Sequence, residues 1–564
     1  MNASPRPWTD CSARDAAMMG SWTQLGRLWR TVRWLRPGQV IGRVRFRLQR
    51  PRPDLRAAPP QRTVPGPWVT PPMRESSLLG PTRLRFLNEE HDLAQVGWDD
   101  PAVALLWRYN LHYFDDLNAS GTVLRRDDQR ALVQRWLDEN PPGRGTAWAP
   151  YPVSLRSVNW LKWALGGELL RPCWAHSLAV QARWLKQRLE WHLLGNHLFV
   201  NAKALVFAGL WFEGPEADSW LATGLTILQR ELSEQILPDG GQFERTPMYH
   251  ALALEDLLDL LNVIRACAPP DSPAQMLVPE LRTHGAAMLR WLRCMRHPGG
   301  ALARFNDTAE GIAPATDDLE RYAAALGIRA PTAPDQGVLS LQPSGYVRAA
   351  WGSAIAFIDV APIGPSYLPG HAHADTLSFE LSAAGRELLV NRGTSVYGTG
   401  PRRHWERGTA AHNTVQIGTH DSSEVWSGFR VGRRALPLGL RIVGNFVEAA
   451  HDGYRHLPGA PLHRRRWHFE EGGLRVEDQI EPAPHETSTA HWHFAPGLTV
   501  LPDGADGWQV RDGERTLAHI EVIAGKATAE TTLHAQRFGQ LVEAPTLAIR
   551  LVEGHAAVRL IWIA

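Results

Sequence analysis

Cysteine is scarce in this 564-residue chain. The four present (Cys11, Cys173, Cys267, Cys294) are scattered and form no CxxC, which excludes a disulfide framework and a thiolate zinc site. No apolar run approaches the ~18–20 residues that a membrane-spanning helix needs. The opening MNASPRPWTDCSARDAAMMGSW has no apolar core of a secretory signal, so the expectation is a cytoplasmic protein or a misassigned start. Charge of one sign is lacking too: 60 Lys and Arg against 58 Asp and Glu leave +2. The charge balance thus carries no global polyanion-binding signal, and nucleic acid is not an expected partner.

One stretch breaks that balance. WRTVRWLRPGQVIGRVRFRLQRPRP, Trp29 to Pro53, is rich in arginine and holds no acid. It either touches a polyanion or a membrane surface, or packs on the body through its Trp, Val, Ile and Leu residues.

With 44% hydrophobic and 21% charged residues, the composition is that of a globular protein, and the length predicts two to four domains. From about Asp99 to Gly327 the apolar period is helical: Leu221, Leu225, Leu228, Leu232 and Ile236 recur at three- and four-residue steps. TPMYHALALEDLLDLLNVIRAC opens with Thr246 as a candidate N-cap and Pro247 at the first helical position. Short Pro/Gly turns between such segments predict antiparallel helical hairpins. After the linker Ala330–Gly337, alternating runs with two- to four-residue turns predict an antiparallel sheet to the C-terminus. Helices in bulk followed by strands in bulk mean separate domains, not a doubly wound sheet.

Chemistry-bearing residues gather in four stretches. In YLPGHAHADTLSFEL, Tyr367 to Leu381, His371, His373 and Asp375 alternate and would share one face of a strand. A metal site, an acid/base site and a merely polar strand end all fit. WHLLGNHLFVNAKAL offers Asn196 and His197 between two helical patterns. LPDGGQFERTPMYHALALEDLL puts Tyr249 and His250 in the first turn of a helix, with His250 turned about 100° away and structural. RRHWERGTAAHNTVQIG places His412 before an alternating run, behind a basic cluster of Arg402, Arg403 and Arg407. Such guanidinium groups suit substrate carboxylates or sulfates, or pair with Glu406. Arg156, in YPVSLRSVNW, is a further candidate groove contact.

Taken in order, GNHLFVNAKAL, GGQFERTPMYHALALEDLLDL, GHAHADTLSFEL and AHNTV resemble the heparinase II/III-like polysaccharide lyases, from roughly Pro101 to the C-terminus. The resemblance implies an incomplete α/α toroid followed by an antiparallel β-sandwich, with the active site between them. The expected division is 1–98 as a basic arm and lead-in, 99–330 as the toroid and 338–564 as the sandwich. It also implies an acidic, uronate-containing polysaccharide as partner and a periplasmic location, and says nothing of oligomeric state. A uronate lyase removes the C5 proton beside a carboxylate and expels O4, so the carboxylate must be neutralised by hydrogen-bond donors. By resemblance Asn196 and His197 do this, Tyr249 is base and/or acid, His371 is its partner, and Tyr397 lies where some members carry a second tyrosine. His373 and His412 match two ligands of a structural zinc. The middle ligand, an aspartate in the family, is Asn391 here, so zinc with a weakened ligand and no metal are both open.

Three other readings compete. HxHxD also occurs in metallo-β-lactamase-like hydrolases, but Thr376 follows Asp375 here and helices precede the strands. A toroid glycoside hydrolase would need two carboxylates, for which Glu244 and Asp239 are available without a telling spacing. The third reading, which Asn391 and the missing export signal favour, is a catalytically inactive acidic-polysaccharide-binding protein of exopolysaccharide metabolism.

Overall fold

The structure is a computed structural model that describes residues 24–563. Helices occupy the chain from Leu105 to Ala325 and strands from Gly337 to Trp562. The helix Gly195–Trp211 is apolar on almost every side, and nearly all of it is buried. A helix of that kind has to be surrounded, and it packs against Pro150–Leu165, Pro215–Gln235 and Pro247–Cys267. The stripe Leu221, Leu225, Leu228, Leu232 turns inward as its spacing predicts. Close approach needs Gly224, where a Cβ would lie 2.8 Å from the Ala202 carbonyl oxygen. These hairpins share one continuous hydrophobic core, as expected for the incomplete toroid.

The second half holds three larger antiparallel sheets and a two-stranded ribbon, Val425–Trp426 with Arg430–Val431. Five strands between Gly337 and Leu389 pair in sequence order. Eight strands between Pro437 and Trp562 form the largest sheet, with the C-terminal strand His555–Trp562 seated between Gly473–Glu481 and Arg515–Ala524. Lys526–Arg537, Gln540–Arg550, Ser488–His493 and Val415–Ile417 make the third. Their inward faces meet in a second core around Trp467, Trp492, Phe379 and Leu547.

Polar contacts clamp the two halves together. Arg245 Nη1 donates to the Gly364 carbonyl at 2.7 Å and its Nε to the Ser344 carbonyl at 2.9 Å. The Tyr346 hydroxyl returns a bond to the Arg245 carbonyl at 2.6 Å. Asp239 accepts from both the amide and the hydroxyl of Ser344. Arg245 has φ +58°, a left-handed conformation that costs a non-glycine residue energy and here is fixed from both domains.

Several local expectations are corrected. The ladder begins at Phe379, so His371, His373 and Asp375 lie in an irregular lead-in and not on a strand. Thr246 is at the N-cap and Pro247 at the first helical position, but no side-chain cap forms; the Thr246 hydroxyl donates to the Glu244 carbonyl instead. The basic arm folds as helical residues 24–32 and the helix Pro37–Leu48. It is fixed to the body by Gln39, Phe46 and arginines, while most of its Trp, Val, Ile and Leu side chains stay exposed.

Buried histidines make the fold acid-sensitive. Burial pushes His112, His250 and His534 down to about 3, and His373 and His491 down to about 4. His412, His451 and His493 are also held well below the ordinary value by burial. Each stays neutral when folded, whereas an unfolded histidine takes a proton near pH 6.5. Their stabilisation is complete above about pH 6.5 and is lost as pH falls toward the folded values, at up to about 1.4 kcal/mol per pH unit for each group. The melting temperature should fall steeply between about pH 7 and pH 5, with net proton uptake on unfolding. A flat profile in calorimetry across that range would contradict this.

Candidate active site

The loop before the helix Gly195–Trp211 brings the first site residues to the junction of the two halves. Leu194 and Gly195 both have positive φ, +62° and +54°. A Cβ on Gly195 would sit 2.4 Å from Leu368 Cδ2 and 3.4 Å from Glu244 Oε1, so only glycine fits. Asn196 and His197 follow, both half-buried. His197 Nδ1 lies 3.3 Å from Glu190 Oε1, and its ring is 4.5 Å from that of Tyr151. Burial opposes its protonation, but the Glu190 carboxylate prevails and raises its pKa.

Tyr249, in the first turn of Pro247–Cys267, meets His371 with ring centroids 4.1 Å apart. Its hydroxyl is 3.0 Å from that of Tyr397. Burial, with the neighbouring Tyr397, holds the Tyr249 phenol well above its usual pKa, and burial does the same to Tyr397. Both are phenols at neutral pH. Phe429, 41% exposed, stands edge-on to the His371 and Tyr397 rings at 5.9 and 5.2 Å.

Behind them sits Asp307, wholly buried. Its Oδ2 is 2.9 Å from His371 Nδ1 and its Oδ1 2.8 Å from His373 Nε2. Arg403 forks onto both oxygens, with Nη2 donating at 2.6 Å. Burial alone would raise this carboxyl, yet the Arg403 charge and the two histidines hold it well below the usual carboxylate range. An ionised partner on Nδ1 makes Nδ1 the protonated nitrogen of neutral His371 and leaves the Nε2 lone pair free. That Nε2 lies 3.6 Å from Glu244 Oε2, a buried oxygen without a hydrogen-bond partner whose carboxyl burial pushes up.

His373 and His412 come together, the two imidazole centroids 5.2 Å apart, and His373 Nδ1, both nitrogens of His412 and Asn391 Nδ2 are buried without partners. Zinc needs at least three lone-pair donors from the protein. Asn391 Oδ1 accepts the Asn413 amide at 3.1 Å, which leaves it one lone pair, and the other half of that side chain is an NH2 group, which cannot ligate. Among the described residues no cluster of three His, Cys, Asp or Glu could hold a metal ion. Two imidazoles and an amide oxygen make a weaker donor set for zinc than one that includes a carboxylate.

The arginine expectations fare unevenly. Arg156 is buried in the toroid core, stacked 3.9 Å from the Trp136 ring and bonded to Gln181 and the His112 carbonyl; it reaches no groove. Arg403 is buried on Asp307, and Arg407 is buried with Nε and Nη2 on the Ala372 carbonyl. Both brace the site and cannot meet a polymer. Arg402 stays partly exposed, donating to the Ser395 hydroxyl and Glu406. Asp375 accepts the Asn306 amide, and His250 bonds the Gln242 amide and the Met288 carbonyl. Asp239 is consumed by Ser344, so it pairs with Glu244 in no hydrolytic site. Sequence reasoning missed Asp307 and Phe429. Asp307 sits in the short RFNDTAEG loop, where only the demand of two histidines for one carboxylate would have singled it out.

Comparison with known proteins agrees with this architecture. Residues 164–321 match the family model "Heparinase II/III N-terminus" and residues 333–560 match "Heparinase II/III-like, C-terminal", together more than half of the chain. A heparin-sulfate lyase of Bacteroides stercoris is 28% identical over 244 residues, 40% of this chain and 35% of that protein. The chain thus aligns with about a third of that relative's length. "FtsZ-localized protein C" of Caulobacter vibrioides is 26% identical over 537 residues, 87% of this chain and 86% of that one. Among solved structures, heparinase III superposes with TM-score 0.61 at 18% identity, covering 80% of this chain and 75% of that chain. The heparan sulfate lyase of Pedobacter heparinus gives 0.55 at 18% identity, over 86% and 81%. At that identity the likeness concerns the fold. With both of the family's domains matched in order, the chain belongs to the heparinase II/III-like family.

Proposed function

We propose that this chain is a polysaccharide lyase that cleaves an acidic, uronate-containing polysaccharide by β-elimination. The observation that carries the reading is the partly exposed Tyr249–His371 pair at the junction of the two halves, backed by the buried Asp307–Arg403 pair. Asn196 and His197, whose protonation the Glu190 carboxylate favours, bind the substrate carboxylate, so that charge building up beside it is neutralised. His371 Nε2 takes the C5 proton, and Asp307 stabilises the imidazolium that results. The C5–H electrons form the C4=C5 double bond and the C4–O4 bond breaks. The Tyr249 phenol gives its proton to O4, with Tyr397 compensating through their shared hydrogen bond. Burial keeps Tyr249 protonated, which suits an acid better than a base. Phe429 offers a face to a neighbouring sugar ring.

No step runs through a metal: with Asn391 in the middle position the chain works without zinc. A second reading rests on the relative aligned along 87% of the chain, which is named for its localisation with FtsZ. In that reading the fold retains an acidic glycan in the cleft without turning it over.

A panel of uronate polymers assayed for new far-ultraviolet absorbance separates the two. Turnover on at least one polymer is expected, falling ~10²–10⁴-fold in Tyr249→Phe with circular dichroism unchanged, and about a hundredfold or more in Asp307→Asn, which should also melt lower because Arg403 loses its buried counter-charge. Binding without unsaturated ends on every polymer would select the second reading. Phe429→Ala should raise KM several-fold and leave kcat nearly unchanged. Chelator treatment should alter neither turnover nor melting temperature, whereas Asn391→Asp should gain a zinc-dependent rise in melting temperature. Stoichiometric zinc in the purified wild-type protein would refute the metal-free assignment.

A further inference from the structure

The arginine-rich arm is built inside out for a soluble helix. In Pro37–Leu48 the residues facing the body are Gln39, Gly42 and Phe46. Gln39 is buried and donates to the Tyr367 carbonyl at 3.3 Å. A Cβ on Gly42 would lie 3.1 Å from the His192 amide nitrogen, and Phe46 meets the His192 ring at 4.3 Å. Helical geometry then turns Val40, Ile41, Val44 and Leu48 to the opposite side. All four are exposed, Ile41 by 67% and Leu48 by 77%. The preceding helical residues repeat the pattern: Leu25, Leu28, Trp29 and Val32 recur at i, i+3, i+4 and i+7 and are exposed, Trp29 by 66%. An ordinary surface helix buries such a stripe.

Charge flanks both stripes. Arg27 and Arg30 bind Glu424, and Arg36 binds Glu234, so these three fasten the arm to the body. Arg33, Arg43, Arg45 and Arg47 are exposed, and among the described residues none has a carboxylate within ion-pair distance. No acid occurs between Trp29 and Pro53. Each helical stretch therefore presents an apolar stripe rimmed by arginine, with Trp29 in the first.

We propose that this arm is a membrane-surface anchor that lays its two apolar stripes into a bilayer containing anionic lipid. The chemistry selects this occupant. An interfacial helix needs an apolar face to enter the acyl boundary and flanking cations to meet anionic headgroups. A nucleic acid or an acidic glycan would satisfy the arginines and leave both stripes in water. A second copy of the chain would satisfy the stripes and bring the same arginines face to face. The inference is independent of the catalytic reading, because it uses none of the residues of the cleft.

The test is vesicle co-sedimentation of the purified full-length chain, with phosphatidylcholine alone or mixed with phosphatidylglycerol. Binding is expected on the mixed vesicles and to weaken at high salt. Ile41→Asp/Val44→Asp/Leu48→Asp should weaken it about tenfold or more, as should Arg43→Glu/Arg45→Glu/Arg47→Glu, with melting temperature and solution behaviour unchanged. The proposal is overturned if the wild type stays in the supernatant of mixed vesicles, if the apolar triple variant pellets like the wild type, or if binding emerges only after residues 1–23 are removed. It is equally overturned if the wild type is a dimer that the apolar triple variant dissociates, since the stripes would then be an interface between copies.

Discussion

One carboxylate organises the centre of this protein. Asp307 is buried and ionised, and it satisfies two histidines and a forked arginine at once. A buried charge survives only when paired and hydrogen-bonded, so the four side chains stand or fall together. Tyr249, Tyr397 and His371 are partly exposed, whereas the residues behind them are closed off from solvent. Rigid support behind an open face is what a site needs to hold a reacting group within a fraction of an ångström.

The site depends equally on how the halves are joined. Tyr249 belongs to the helical half; His371, Tyr397 and Arg403 belong to the sheet half; Asp307 comes from the loop between them. The Asp239–Ser344, Arg245–Gly364 and Tyr346–Arg245 bonds set the spacing. They are polar and directional, which fixes geometry more sharply than apolar packing would. The left-handed backbone at Arg245 is the strained point of that joint.

How much of this was legible in the sequence follows from the range of the forces involved. The change of apolar period from helical to alternating is local, and the helix-then-strand order could be read from it, down to the inward stripe Leu221–Leu232. Motif order carried the family and pointed to Asn196, Tyr249, His371 and Tyr397. Long-range pairing was out of reach. Arg156, Arg403 and Arg407 carry charge and were read as facing substrate, but each is consumed by a partner distant in sequence. Asp307 was overlooked for the same reason, being an unremarkable loop acid until the fold brings His371, His373 and Arg403 around it. The alternation of His371 and His373 correctly signalled a shared side, yet no ladder bonds that segment, so the strand inferred from it does not begin until Phe379.

Tyr367 stands between the arm and the loop that carries His371. Its carbonyl accepts from Gln39 of the arm, its hydroxyl reaches Glu234, and Arg36 lies 3.7 Å over its ring. Four residues along the same irregular stretch comes His371. That stretch joins no ladder, and other bonds pin it instead: the Asp307 amide donates to the His371 carbonyl at 3.1 Å, and the His373 amide donates to Asn306 Oδ1 at 3.0 Å. The footing of the outer helices and the footing of the imidazole are therefore neighbouring turns of one loop.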